Sequence, residues 1–200
     1  MDALQPNADT LGSTYDPSFV LRSQQQQLVL DATLMLAAGD PDLPPSAVRD
    51  ALANGANPNY QNDSGVSPLH LAGRWGHAEQ IRALARAGAR LEIKTAKYNE
   101  TPLHWAARFG NAEAVLALVD MGASLAAVDG LGCTPWAAFI KNAVNIERED
   151  VERMHDAFAQ IEQHHPDRSR GLIGASSRER SPRTDTVADR AAPPPTDLSR

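Results

Sequence analysis

The sequence predicts an all-α solenoid of stacked helix pairs, and a recurring four-residue motif is the main reason. Ser67-Pro68-Leu69-His70 returns 34 positions later as Thr101-Pro102-Leu103-His104. It returns again in altered form, 33 positions further on, as Thr134-Pro135-Trp136-Ala137. A fixed step of this length indicates an array of like units rather than one continuous core.

A second marker keeps the same step and supports the same fold class. The dipeptide Gly-Ala begins at Gly55, Gly88 and Gly122, with steps of 33 and 34 residues. Aromatic residues make up only 5% of the chain, which favours closely packed helices over a sheet, where aromatic residues are enriched.

Each unit is expected to begin with a helix that opens on the motif. Ser67 is placed to cap a helix whose first position is Pro68, where a missing N–H costs nothing. Leu69 then points to the core, and Gly76 is expected to end the helix in a left-handed conformation.

A second helix completes the unit. It is predicted to run from about His77 to Gly88, with Ile81 and Leu84 at helical spacing. The next unit repeats the plan, with Asn111 as the expected cap of its second helix and Gly122 as its end.

This pattern resembles the ankyrin repeat, a unit of about 33 residues with a T-P-L-H-x-A signature, two antiparallel helices and a β-hairpin turn. The resemblance covers about residues 28–165. It implies four units, at about 28–61, 62–94, 95–128 and 129–165.

The outer units depart from the signature. The first lacks T-P-L-H and carries an insertion at residues 40–45, and the fourth has Trp136 in place of leucine. Degenerate end units are expected because they act as caps. An acidic helix from about Ile146 to His164 is expected to extend the C-terminal cap.

Polar segments flank the array. Residues 1–27 and the Arg/Ser/Pro-rich residues 166–200 offer little apolar surface, so both are expected to be disordered.

Composition argues against several classes of protein. The net charge of −6 does not suggest a nucleic-acid partner. Cys133 is the only cysteine, which excludes an internal disulfide and favours a reducing compartment. The longest apolar stretch, Leu28 to Ala38, is interrupted by Asp31 and too short to span a membrane. A cytoplasmic location is expected, or export without a cleaved signal peptide.

The sequence suggests no catalytic, cofactor or metal site. In the ankyrin repeat, the histidines equivalent to His70 and His104 hydrogen-bond backbone groups and join neighbouring units. Their spacing puts them about 10 Å apart on packed helices, too far to share one ion. Cys133 has no base at a recognisable spacing. An enzyme is therefore not expected.

The resemblance implies that a partner binds along the concave side of the stack. The expected partner-binding residues are Arg74, Trp75, Lys94, Lys97, Tyr98, Arg108, Phe109, Lys141 and Asn142. Arginine precedes an aromatic residue at the same place in two successive units, which is a composition found at binding hot spots. Under the alternative interpretation, the aromatic rings only cover helix ends. Trp105 and Trp136 are expected in the core.

The predicted function is a protein–protein interaction module, monomeric on its own, which serves as a regulator or adaptor. Its partner would present an acidic or amphipathic segment. Abundant arginine and alanine suggest a GC-rich coding sequence, which leaves a bacterial effector exported into a host cell as an alternative. An enzyme is the remaining alternative.

Overall fold

A computed structural model describes residues 17–165 of the chain. Its helices are α1 (Pro17–Gly39), α2 (Pro45–Ala53), α3 (Pro68–Trp75), α4 (Ala78–Arg86), α5 (Pro102–Arg108), α6 (Ala112–Asp120), α7 (Pro135–Asn142) and α8 (Arg148–His164), with a 3-10 turn at Ala143–Asn145. These residues contain no strand. The all-α class is confirmed.

The helices stack in two rows. Along the inner row, α1 packs against α3, α3 against α5 and α5 against α7; along the outer row, α2, α4, α6 and α8 contact one another in turn. Each inner helix is followed by an outer helix of the same unit. Four helix pairs therefore form one array, with α8 as the last outer helix.

The motif residues begin the inner helices as predicted. Ser67 is the N-cap of α3, with Pro68 in the first turn, and Thr101 and Pro102 repeat this at α5. Gly76 ends α3 with φ 79° and ψ 16°, the left-handed conformation expected there.

Close packing between units depends on small residues. A Cβ on Gly73 of α3 would lie 2.9 Å from the carbonyl oxygen of Pro102 in α5. In the loop before α3, Gly65 has φ 73°, and a Cβ there would lie 2.5 Å from the backbone nitrogen of Ala96. Neighbouring units therefore approach too closely for a larger residue at either place.

The core runs along the array between the two rows. Leu69, Leu103, Ile81 and Leu118 are almost completely buried, together with alanines from every unit. These are positions that the helical spacing predicted. Burial of such side chains contributes about 1.5–3 kcal/mol each.

Trp105 and Trp136 are only partly buried, although the sequence predicted both in the core. Trp105 reaches the surface beside Phe109, at 6.5 Å between ring centroids. Trp136 packs on Phe158 of α8 at 4.5 Å. Within residues 17–165 no unit follows this helix pair, so none there encloses the ring.

The turns between units are tight loops joined side by side, and none forms a regular strand. In one loop Asn62 N–H donates to the carbonyl of Val66 at 3.0 Å. Between loops, Ala96 N–H donates to Ser64, and Gly130 N–H donates to Tyr98. So few backbone bonds close each loop that no ladder develops.

Helix α1 begins at Pro17, ahead of the expected start of the ordered domain at residue 28. The glutamines in this stretch are good helix formers. The Gln27 amide also donates to Asp31 at 2.9 Å and to the carbonyl of Gly55 at 3.1 Å. Residues 17–27 are therefore helical, which corrects the expectation of disorder for them. Residues 1–16 and 166–200 lie outside the described part, and so does the prediction of disorder for them.

The described helices include none that is long and apolar enough to cross a membrane.

Candidate functional site

The motif histidines join one unit to the next. His70 Nδ1 accepts from Ser67 N–H at 3.2 Å, and its Nε2 donates to the carbonyl of Glu100 at 3.0 Å. His104 repeats this, with Nε2 donating to the carbonyl of Cys133 at 2.9 Å. These contacts confirm the linking role that the resemblance implied.

Burial keeps both imidazoles neutral. Removal from water lowers the pKa of His70 to about 4, although its bond to the Glu100 carbonyl opposes the shift. Burial likewise lowers the pKa of His104. A neutral ring suits this site, because its Nδ1 must accept a backbone hydrogen bond.

At the ends of the inner helices α3 and α5, one arginine lies between two aromatic rings. The Arg74 guanidinium lies 5.4 Å from the Trp75 ring centroid and 5.0 Å from that of Phe109, in the next unit. Trp75 is 45% exposed and Phe109 43%. Within residues 17–165 no carboxylate pairs with Arg74. A cation and two aromatic faces are therefore presented together.

Arg108 is held by the protein itself. It forms an ion pair with Glu100, whose side chain is only 3% exposed. The other carboxylate oxygen of Glu100 accepts from Trp105 Nε1 at 3.0 Å. Sequence reasoning predicted Arg108 as a partner-binding residue, but its charge is already paired beneath the surface.

The Asn142 side chain also makes a hydrogen bond within the protein. Its Nδ2 donates to the carbonyl of Arg108 at 2.7 Å, at the end of α5. Asn111 does the same one unit earlier, donating to the carbonyls of Gly73 and Arg74. Asn111 therefore does not cap α6 through its side chain as predicted, because its amide ties together the ends of successive inner helices.

Of the three lysines of the predicted set, Lys94 and Lys97 lie in a loop and Lys141 lies in α7. Lys94 Nζ donates to the carbonyl of Val128 at 3.0 Å, in the next loop. Lys97 Nζ lies 4.7 Å from the ring centroid of Tyr98, which is 50% exposed. Lys141 Nζ donates to Cys133 Sγ at 2.8 Å, and this bond raises the pKa of Lys141.

The family model for ankyrin repeats matches residues 34–129 as three copies. Residues 34–129 therefore belong to the ankyrin-repeat family. Its fourth helix pair, α7 and α8, lies beyond the matched residues but continues both rows of the ankyrin array. No curated protein matches the sequence at a significant level. Ankyrin repeats are generally protein–protein interaction modules and are typically not enzymes.

Other apolar residues of the ankyrin array, on either side of Trp75 and Phe109, also reach the surface, and the sequence did not predict them. Leu36, Leu71 and Trp75 line an open groove of about 540 Å³ between α1 and α3. Beyond α5, Ile140 and Val144 are 49% and 88% exposed. The first unit lacks the motif, so no spacing located Leu36.

Ile140 occupies a position that is buried in the two preceding units but exposed in the fourth helix pair. It stands six residues after Thr134, where the preceding units have the buried Gly73 and Ala107. Within residues 17–165 no fifth unit covers it, so a side chain larger than alanine fits and remains exposed.

No group of three or more His, Cys, Asp or Glu side chains among residues 17–165 is arranged to hold a metal ion.

Proposed function

We propose that this ankyrin array binds an acidic, amphipathic segment of a partner protein across the ends of its inner helices. The observation that carries the proposal is Arg74 between two half-exposed rings. We name the surface formed by Leu71, Arg74, Trp75 and Phe109 the inner-helix surface. A regulator or adaptor role follows from binding alone, without chemistry at the site.

Exposed aromatic rings supply the affinity in this proposal. Trp75 and Phe109 belong to successive units, and both rings contact the Arg74 side chain. Tryptophan and arginine are the side chains most often found at binding hot spots. Since Arg74 stacks on the rings already, little side-chain entropy is lost when a partner binds.

Charge supports an acidic partner. Arg74, Lys94, Lys97 and Lys141 lie along the ends of the inner helices and the loops, and each carries a positive charge that no carboxylate within residues 17–165 pairs. A partner with opposite charge would associate faster and in a defined orientation. The proposal leaves out Arg108, whose charge is paired by Glu100, and Asn142, which carries no charge and donates to the Arg108 carbonyl.

The direct test compares two double variants in affinity purification with mass spectrometry. Trp75→Ala/Phe109→Ala is expected to keep its helical circular dichroism and to lose specifically retained proteins. The matched control is Leu28→Ala/Val29→Ala, which removes two exposed apolar side chains from α1 and should retain them.

Binding of a recovered partner would then be measured by titration with purified proteins. If the Trp75/Phe109 variant binds as tightly as the wild-type chain, the inner-helix surface is not the binding site.

A further inference from the structure

A second surface, on the other side of Trp75, has no role in the proposed function. Two adjoining depressions of about 450 and 240 Å³ lie between α6 and α8, and both are lined by Glu113, Leu116 and Gln160. They therefore form one groove, which we name the α6–α8 groove. Trp75 lies at one end of it and His165 at the other.

The α6–α8 groove has an acidic rim and an apolar floor. Its carboxylates are Glu113, Asp120, Asp150 and Asp156, against the two cations Arg82 and Arg153. Asp150 pairs with Arg153. Leu116, Ala157 and Ile161 supply the apolar floor.

Two of these carboxylates have no ion pair within the described residues. Glu113 and Asp156 are both exposed and make none of the salt bridges of residues 17–165. Their charges add to each other across the groove between α6 and α8. A complementary occupant therefore carries positive charges flanking a short apolar stretch.

The chain continues from the end of this groove with such a segment. Residues 168–183 contain five arginines and one acidic residue, Glu179, and the acidic Asp167 precedes them. The apolar pair Leu172-Ile173 stands between the first two arginines and the last three. The segment starts three residues after His165, whose imidazole lies 3.6 Å from Asp120.

The length of the groove matches the length of the chain from Pro166 to Leu172-Ile173. Asp150 and His165 are fifteen positions apart on or next to α8, a rise of about 22 Å. About seven extended residues span that distance. If the chain reverses at Pro166, Arg168 and Arg170 pass the carboxylates of Asp120 and Glu113, and Leu172-Ile173 arrive near Ala157 and Trp75.

We propose that residues 166–173 of this chain fold back and occupy the α6–α8 groove of the same molecule. Arg168 and Arg170 face the acidic rim, and Leu172-Ile173 cover the apolar end beside Trp75. The fold-back is independent of the function proposed above, because it concerns the side of Trp75 that faces α8.

The test uses the full chain with a nitroxide spin label on the segment. Ser176→Cys carries the label in a Cys133→Ala background, and backbone amide intensities are read by NMR with the label oxidised and reduced. Amides of Leu116, Asp156 and Gln160 are expected to lose intensity when the label is oxidised. Amides of α2 on the opposite edge of the array should keep theirs.

Charge-reversal variants give the matched comparison. Glu113→Lys/Asp156→Lys should abolish the intensity loss, whereas Asp50→Lys/Glu79→Lys, which makes the same charge change on α2 and α4, should leave it in place. Sodium chloride at 1 M should also weaken it, because the screening length falls to about 3 Å.

Three results would overturn the proposal. One is the absence of any intensity loss on α6 or α8 in the spin-labelled chain without charge reversals. Another is intensity loss that survives Glu113→Lys/Asp156→Lys. The third is an equally strong loss in a mixture of isotope-labelled chains with separate spin-labelled chains, since the occupant would then belong to a second copy.

Discussion

His70 Nε2 donates a hydrogen bond to the carbonyl of Glu100, 3.0 Å away and one unit further along the array. Its Nδ1 accepts from the N–H of Ser67 at the same time. The two bonds require the neutral ring with its proton on Nε2. Protonation of Nδ1 would turn the acceptor into a second donor that faces a backbone N–H, so the link between units is sensitive to acid.

Stability is therefore expected to fall as the pH drops from 6.5 towards 4. The pKa of His70 is about 4 in the folded chain, against the ordinary value of 6.5. Between these values the unfolded chain binds a proton that the folded chain does not. The contribution of neutral His70 to the free energy of unfolding is complete above pH 6.5. Between pH 6.5 and 4, each pH unit removes about 1.4 kcal/mol of it.

Urea unfolding at pH 7.0 and 5.5, above the range where most carboxylates titrate, measures this loss. His70→Gln should reduce the slope of unfolding free energy against pH. His164→Gln, which removes an exposed histidine of α8, should keep the slope. Equal stability at the two pH values would contradict the prediction.

Leu103→Ala should destabilise the array by about 2–5 kcal/mol, because it leaves a cavity in a fully packed site. Leu103 is 1% exposed and belongs to the core shared by neighbouring units. The comparison is Leu131→Ala, at a side chain that is 77% exposed. Thermal or urea unfolding should show a large shift for the first and almost none for the second.

Arg74 and Arg108 occupy the same place in successive units but should respond differently to alanine. Arg108→Ala removes the ion-pair partner of the buried Glu100 and should cost about 1–3 kcal/mol of unfolding free energy. Arg74→Ala breaks no ion pair within residues 17–165 and should change stability by about 0.5 kcal/mol or less. A stability loss for Arg74→Ala as large as that for Arg108→Ala would show that the two side chains have equivalent structural roles.

Gly65→Ala should destabilise the protein more than Gly132→Ala. Both glycines have φ near 74°, where an alanine costs about 1–2 kcal/mol. Among the described residues, a backbone atom lies 2.5 Å from the Cβ added at Gly65, whereas nothing lies within 4 Å of the Cβ added at Gly132. The difference in urea midpoints isolates the cost of separating two loops, and equal midpoints would exclude the close approach.

Much of the fold could be predicted from short-range signals. Ser67 and Pro68 begin α3, Gly76 ends it, and Leu69 lies in the core, all as the motif and its spacing indicated. Caps, helix starts and helix ends depend on neighbours a few residues away, so the sequence contains the information that decides them. The start of α1 was predicted too late, because part of its support comes from the carbonyl of Gly55.

In the candidate site, too, the sequence predicted positions within a unit but not the contacts between units. Counting from Ser67 and Thr101 correctly placed Arg74-Trp75 and Arg108-Phe109 at equivalent positions. Equivalent positions did not mean equivalent environments, because Glu100 pairs with Arg108 whereas no carboxylate in the described part of the chain pairs with Arg74. No local pattern could show which arginine stays available to a partner.

The sequence by itself determined the repeat, its helices and the residues that build the stack, since these follow from capping, turn and spacing preferences within one unit. Only the tertiary structure decided that Arg74 lies between Trp75 and Phe109, that Arg108 is paired internally, and that α6 and α8 enclose an acidic groove beginning beside His165. The reason is physical: each of these features joins residues from different units, and the separation between such residues depends on how closely the units pack.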